Sequence, residues 1–306
     1  MRRASFLVPL CIFNCISVAS AICTVDKHER GSGDRLQCSN VSLDTVLNET
    51  STEVPAIMIS NSNLRQIPPR AFSKYARSLQ SLNIHKCQIG GIHPDAFDSL
   101  AILRKLGLPN NNITEVNEEW FKDLVYLEQL DLSFNRIDRV QPAIFIKLML
   151  LKRLDVRENR LTCLDPSTFP GGIDKVYFSG NPLSFQCRGK LTLWMRDHGV
   201  SYEAELSEKE SWLNKLLWLC AIGNADVAES EVLMKECVIL NLFNQLRTGL
   251  STAEFYPLTL PRECVDARKT FTSCIADQAR AQDHALTNGN VIKSLLRYLQ
   301  QTKSAL

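Results

Sequence analysis

The sequence predicts an α/β solenoid in which short parallel strands line a concave face, with a cap at each end, followed by a small all-α domain that contains disulfide bonds. Three observations predict this fold. An apolar pattern recurs every 22 to 25 residues between Val54 and Leu183, and its leucines alternate with polar residues as in a half-buried strand. After residue 206 the periodicity becomes that of helices. The 306 residues are enough for two domains of ordinary size.

The N-terminal segment has the layout of a cleavable signal peptide. Arg2 and Arg3 precede an apolar run over residues 6–18 and the small residues 19–21. A signal anchor is the alternative, but the run is shorter than the roughly 20 residues that cross a bilayer core. We therefore expect residues 1–21 to be removed and the chain to be secreted, with no membrane span and no lipid anchor.

The charge balance argues against an electrostatic nucleic-acid binder. Of 35 Lys and Arg residues, two lie in the predicted signal peptide, so the remaining chain has 33 basic and 33 acidic residues. A formally neutral chain lacks the basic excess that attracts phosphate backbones. We expect no nucleic-acid partner.

The recurring pattern is L-x-x-L-x-L-x-x-N-x-L. Its six copies, which together cover residues 54–183, start at Val54, Leu79, Leu103, Leu127, Leu151 and Ile173. The fourth and sixth positions, such as Leu130 and Leu132, point inward from a short strand, and their neighbours point outward. Because one unit cannot shield its own apolar side, the units stack strand beside strand into a parallel sheet.

The best copies of this pattern resemble the leucine-rich repeat of extracellular proteins. One copy reads Leu127-x-x-Leu130-x-Leu132-x-x-Asn135-x-Ile137 and departs from the pattern only in its final isoleucine. A second apolar set later in each unit includes a phenylalanine, and we expect these rings to stack as a buried spine under the convex side. They are Phe72, Phe97, Phe121, Phe145 and Phe169.

The ninth position of the pattern predicts a row of buried amides. It is occupied by Asn111, Asn135, Asn159 and Asn181. A buried amide can satisfy both donors and acceptors of the backbone in a sharp turn, so these residues are predicted to be scaffold. Ser62 and Cys87 take this position in the first two units, and Cys87 is predicted to be a buried free thiol.

Residues 22–53 are expected to form the N-terminal cap. Cys23 and Cys38 bracket a short polar loop. This segment resembles a smaller version of the family's N-terminal cap, with one disulfide where the usual cap has two.

Residues 184–206 are expected to form the C-terminal cap. Asn181–Cys187 followed by Leu191-x-x-Trp194-Met195 resembles the flanking module of extracellular leucine-rich-repeat proteins. Phe185 stands where that module has its first cysteine. The partner of Cys187 is therefore open, and a downstream residue such as Cys220 is one option.

Residues 207–306 are predicted to form the helical domain. A capping box at Ser207-x-x-Glu210 begins a helix that ends at Gly223, and further helices are expected over residues 226–247, 262–285 and 291–300. A long coiled coil is the alternative, if the helices extend beyond the intervening glycines and prolines. The domain plan is similar to that of insect leucine-rich-repeat immune proteins, which circulate in haemolymph.

The cysteine count leaves an odd number in the secreted chain. Two of the eleven cysteines fall in the signal peptide, and nine remain. At least one is then unpaired or bonded to another chain, so a disulfide-linked homo- or hetero-oligomer through the helical domain is an expectation. The residues expected in disulfides are Cys23, Cys38, Cys187, Cys220, Cys237, Cys264 and Cys274.

The outward strand positions of units three to six are the predicted partner-binding surface. The candidates are Lys105, Gln129, Asp131, Arg153, Asp155, Arg157, Lys175 and Tyr177. Arginine and tyrosine are frequent hot spots of protein interfaces, but an ordinary solvated face is the competing interpretation. Asp131, Asp155 and Phe134 are weaker candidates, because Leu-Asp-Leu-Ser-Phe-Asn is close to the repeat consensus. Glycans are expected at the sequons of Asn40, Asn48 and Asn112.

No pattern predicts catalysis, a metal site or a cofactor. Nucleophile-elbow, zinc-protease and phosphate-loop motifs do not occur in the sequence. The expected function is secreted, innate-immune recognition or complement-like regulation of a protein or a pathogen-surface glycoconjugate. The alternatives are a developmental or adhesion modulator, a matrix component, and a carrier whose helical domain is the active part.

Overall fold

The structure, a computed structural model, describes residues 22–26, 34–48, 53–200, 208–223, 225–235, 237–238 and 241. The predicted signal peptide and the helices expected over residues 262–285 and 291–300 lie outside the described residues, as do Cys264 and Cys274.

The main element is one eight-stranded sheet with the order β1-β2-β3-β5-β7-β8-β9-β10. Its strands are β1 Ile22–Asp26, β2 Arg35–Ser39, β3 Ala56–Ser60, β5 Ser81–His85, β7 Lys105–Gly107, β8 Gln129–Asp131, β9 Arg153–Asp155 and β10 Lys175–Tyr177. A second sheet pairs β4 Gln66–Ile67 with β6 Gly91–Ile92. Every neighbouring pair in the main sheet is parallel except β1 and β2. This arrangement confirms the predicted parallel-strand solenoid.

The strands align so that equivalent repeat positions lie side by side. The third row, defined as the third position of each repeat, runs Ala56, Ser81, Lys105, Gln129, Arg153 and Lys175. The fifth row runs Met58, Asn83, Gly107, Asp131, Asp155 and Tyr177. Because neighbouring parallel strands lie about 4.8 Å apart, each row is a regular line of side chains across the sheet.

Apolar side chains fill the space between the sheet and the convex side. Leu106, Leu130 and Leu154, at the fourth position, are at most 2% exposed. All five phenylalanines of the predicted spine are buried. Ring contacts join Phe72 to Phe97 at 6.4 Å and Phe145 to Phe169 at 4.7 Å between centroids. The rings thus shield the sheet from the convex side.

The ninth-position asparagines are buried and bridge adjacent repeats. Asn135 donates through Nδ2 to the carbonyls of Leu108 at 2.9 Å and Leu132 at 3.0 Å, and its Oδ1 accepts from the amide of Ile113 at 3.1 Å. Asn159 and Asn181 repeat the pattern one and two units further on. The buried-amide prediction is confirmed.

The other described elements are helices. They are the 3-10 helices η1 Ser73–Tyr75, η2 Glu118–Phe121 and η3 Pro166–Thr168 and the α-helices α1 Leu43–Asn48, α2 Ala143–Lys147, α3 Phe185–Asp197, α4 Glu208–Gly223 and α5 Ala225–Ala228. Among the described residues no helix is long and apolar enough to cross a membrane.

Helix α3 packs on the last described repeats and on α4. The ring of Trp194 meets Phe169 edge to face at 5.3 Å, which extends the aromatic packing from the last repeats into the helix. The buried Arg188 lies over the ring of Phe178 and donates to Asn214 of α4 at 2.6 Å. The helices therefore continue directly from the repeat stack.

The second helix expected in the tail is interrupted near its start. It was expected over residues 226–247, but α5 ends at Ala228 and residues 229–230 are not helical before helical backbone resumes at residue 231. The Ser230 hydroxyl accepts from the amide of Leu233 at 3.4 Å. Serine competes for backbone groups in this way at helix N-caps, which favours a break at this point.

Three disulfides occur among the described residues: Cys23–Cys38, Cys163–Cys187 and Cys220–Cys237. Pairing of Cys187 with Cys220 is therefore wrong, because Cys187 bonds Cys163 in the fifth repeat and their Cα atoms are 5.3 Å apart. Cys87 is free and fully buried, as predicted, and burial raises the pKa of its thiol.

Candidate binding surface

The predicted partner-binding residues lie together on the outward side of β7, β8, β9 and β10. Lys105 and Lys175 are exposed, whereas Gln129, Arg153 and Tyr177 are half-buried. Asp155 is almost completely buried, with 2% of its surface exposed. We call this half of the concave face, repeats three to six, the charged half.

The centre of the charged half is a packed group of four side chains. The Arg157 guanidinium donates two hydrogen bonds to the Asp155 carboxylate, with Nε–Oδ1 and Nη2–Oδ2 distances of 3.0 and 2.6 Å. On the neighbouring strand, the ring of Tyr177 lies 4.6 Å from the guanidinium carbon of Arg153 and 5.0 Å from that of Arg157. The aromatic ring holds both guanidinium groups in place through cation–π contacts.

Asp131 lies one strand away from this group. Its Oδ1 accepts from the backbone amide of Ser133 at 3.0 Å and from the Ser133 hydroxyl at 2.7 Å. Burial raises the pKa of the Asp131 carboxyl, and the negative charge of Asp155 raises it further, against the opposing effects of Ser133 and Arg157. The Asp131 carboxylate thus bonds Ser133 just after its own strand, and it is a weak electrostatic partner for the cations beside it.

The cations of the third row have no acidic partner among the described residues. No carboxylate in the described part of the chain forms an ion pair with Lys105, Arg153 or Lys175. Gln129 separates Lys105 from Arg153, and Lys175 is paired in register with Arg153. The row therefore presents three positive charges.

The second row, directly before each strand, was missed by the sequence-based prediction. Glu128 accepts from Arg104 on one side and from Lys152 on the other, the latter at 3.2 Å. The hydrogen bond from Lys152 is the main reason that the pKa of Glu128 is lowered. The alternation of charge at 24-residue spacing was the available signal.

Phe134 is an exposed aromatic residue at the eighth repeat position, where the backbone has a positive φ in all six repeats. Its side chain is 50% exposed, its φ is 55°, and its amide donates to the carbonyl of Arg157 at 2.9 Å. A bulky residue with positive φ is uncommon, and here it puts an exposed aromatic side chain at the end of β8.

Exposed apolar side chains outside the strands were also missed. Val125 and Tyr126 precede β8, and Met149 and Leu150 take the equivalent places before β9; all four are about half exposed or more. Ile146 of α2 is a further exposed apolar side chain.

The three sequon asparagines, Asn40, Asn48 and Asn112, are all exposed. Each is therefore accessible to glycosylation. Among the described residues no group of three or more His, Cys, Asp and Glu could hold a metal ion.

A scan against family models identifies the repeats. The leucine rich repeat model matches residues 52–112, 77–137, 101–161 and 125–183, so this part of the chain consists of leucine-rich repeats. No curated protein matches the chain.

The 313 matching chains of solved structures include the TLR13–ssRNA13 complex, with 23% sequence identity and a TM-score of 0.42. The alignment covers 49% of this chain and 25% of the TLR13 chain, so it spans about a quarter of that longer protein.

Proposed function

We propose that this protein is a secreted binding protein that uses the charged half of its concave face to engage another macromolecule in innate-immune recognition or complement-like regulation. Its solenoid presents rows of outward side chains at regular spacing on a rigid sheet, which suits recognition of a large partner. The described disulfides are compatible with an extracellular protein. The apolar stretch after Arg2 and Arg3 supports export.

The observation that favours the charged half is its packed centre. Arg153, Arg157 and Tyr177 are held against each other, so little side-chain freedom is lost when a partner binds. Arginine and tyrosine also contribute a large share of the binding free energy at many protein interfaces. In contrast, the third and fifth rows of repeats one and two contain Ala56, Met58 and other uncharged side chains.

A glycan placed on the charged half tests this proposal. Gln129→Asn with Asp131→Thr introduces a sequon at two outward positions of β8, and Arg136→Asn with Asp138→Thr introduces one of the same spacing at exposed positions beyond the sheet. Partners that the wild-type protein captures from extracellular fluid are first identified by mass spectrometry. We expect the glycan on β8 to abolish their capture and the second glycan to leave it intact.

Equal capture by both glycosylated variants would contradict binding through the concave face. The immune role is tested separately by measuring expression after infection. An increase supports the role, and expression restricted to developing tissue would favour the alternative of a developmental modulator.

A further inference from the structure

Two neighbouring rows of the charged half differ in the signs of their charged side chains. The second row runs Arg104, Glu128, Lys152 and Asp174, and the third row runs Lys105, Gln129, Arg153 and Lys175. In the second row the signs alternate, and Glu128 bonds both of its basic neighbours. The third row contains three cations and no anion.

The third row opposes folding slightly. Arg153 and Lys175 lie directly beside each other on β9 and β10, with backbones about 4.8 Å apart, and like charges at paired strand positions are destabilising. The nearest carboxylates of the fifth row do not relieve this repulsion, because Asp155 is bonded to Arg157 and Asp131 accepts from Ser133. A negative partner would remove the repulsion.

Arg153 is also oriented for a particular kind of anion. Its guanidinium is held on the Tyr177 ring, and no described residue accepts a hydrogen bond from its side chain. A planar guanidinium in a fixed orientation presents two parallel donors, which match the two oxygens of a carboxylate. The neighbouring Lys175 adds a second charge without directional demands.

The surroundings favour a protein with separated carboxylates over a continuous polyanion. A nucleic acid or a highly sulfated glycan would bring its closely spaced charges over Asp131 and Asp155 as well as over the cations. The exposed ring of Phe134 at the end of β8 offers an apolar contact, which an acidic protein segment with an apolar side chain can use.

We propose that the third row of repeats three to six binds an acidic segment of a partner protein, with Arg153 and Lys175 pairing with its carboxylates and Lys105 steering its approach. This inference rests on the proposed function, because it names the ligand chemistry of the same concave face.

The test measures, by fluorescence anisotropy, binding of a labelled peptide whose glutamates are separated by serines, called oligo-glutamate here, and of its counterpart with glutamine in place of glutamate. The third-row variant is Arg153→Gln with Lys175→Gln. The matched control is Arg136→Gln with Arg160→Gln, which removes the same formal charge from exposed equivalent positions of repeats four and five, just beyond the buried asparagines. Thermal melts check that both variants are folded.

We expect the wild type to prefer oligo-glutamate, the third-row variant to bind it on the order of tenfold more weakly, and the control to change affinity less than about threefold. Equal weakening in both variants would mean that only net charge matters and would overturn the proposal. Binding of heparin or single-stranded RNA through the third row, without binding of oligo-glutamate, would overturn it in favour of another anion.

This result is separable from the test of the proposed function. If the glycan on β8 abolishes capture of partners but oligo-glutamate does not bind, the concave face remains the binding surface and only the acidic ligand is rejected. If neither the glycan nor the third-row variant has an effect, both proposals fail.

Discussion

The first two repeats and the last four build the same turn with different chemistry. In the last four, a buried asparagine bonds the backbone of two adjacent units, as Asn135 does through four hydrogen bonds. In the first repeat, the Ser62 hydroxyl accepts from the amide of Val41 and donates to the carbonyl of Ser60. In the second repeat, Cys87 makes only weak sulfur contacts with carbonyl groups, and the amide of Leu64 bonds the Cys87 backbone carbonyl instead of its side chain. The strand register is nevertheless continuous across both regions. The stacked core therefore sets the register, and the amide row adds stability to the half whose surface is charged.

The largest expected effect is the loss of this buried amide. Asn135→Ala leaves the carbonyls of Leu108 and Leu132 and the amide of Ile113 without their buried partner, so the free energy of unfolding should fall by about 3 kcal/mol. Cys87→Ala at the equivalent position should cost no more than about 1 kcal/mol, since a thiol is a weak donor. Urea denaturation of both variants measures the difference, and equal losses would show that the two halves are not held differently.

A smaller effect is expected at the seventh position, where the charged half has Arg157 and the second repeat has His85. Arg157→Ala leaves the buried Asp155 carboxylate without its bidentate partner, and we expect a loss of about 2 kcal/mol, reduced because the Arg157 side chain is 26% exposed. His85→Ala, which separates no ion pair among the described residues, is the control and should have little effect. Adding Asp155→Asn to Arg157→Ala should restore at least half of the loss; if it restores none, the destabilisation comes from lost packing on Tyr177.

The smallest effect is a pH dependence at Asp131. Because burial raises the pKa of this carboxyl in the folded state, the folded protein holds the proton more tightly than the unfolded chain. The charge of Asp131 therefore opposes folding at neutral pH, and this opposition disappears as the pH falls through the raised folded pKa towards the unfolded value of about 3.9.

Asp131→Asn keeps the oxygen that accepts from Ser133 and removes the charge. The variant should be slightly more stable than the wild type at pH 7, and the difference should vanish in acid. Denaturation curves at several pH values measure it. A variant that is less stable at neutral pH would mean that the charge of Asp131 supports the fold.

The repeat architecture was predictable because every unit repeats the same packing problem. Leucines at the fourth and sixth positions, the phenylalanine spine and the ninth-position asparagines each follow from burial and hydrogen bonding within one unit or between two adjacent ones. The composition of the third and fifth rows was predictable for the same reason, since the period alone aligns them.

Contacts between residues without a shared period were not predictable. Cys163 lies in the fifth repeat and Cys187 in the first turn of α3, and they meet only because α3 packs against the last repeats. Likewise, Arg188 finds Asn214 across two helices whose packing the sequence pattern does not specify.

The sequence by itself determined that this protein stacks its repeats and which side chains face outward, because an apolar strand face with a fixed period has only one way to be buried. The tertiary structure alone decided which of those outward charges are neutralised. Glu128 forms ion pairs with the cations beside it and Arg157 with Asp155, whereas Arg153 lies against Tyr177 and donates to no described residue. Charge pairing depends on distances of a few ångströms between neighbouring strands and on side-chain direction, and a linear pattern encodes neither.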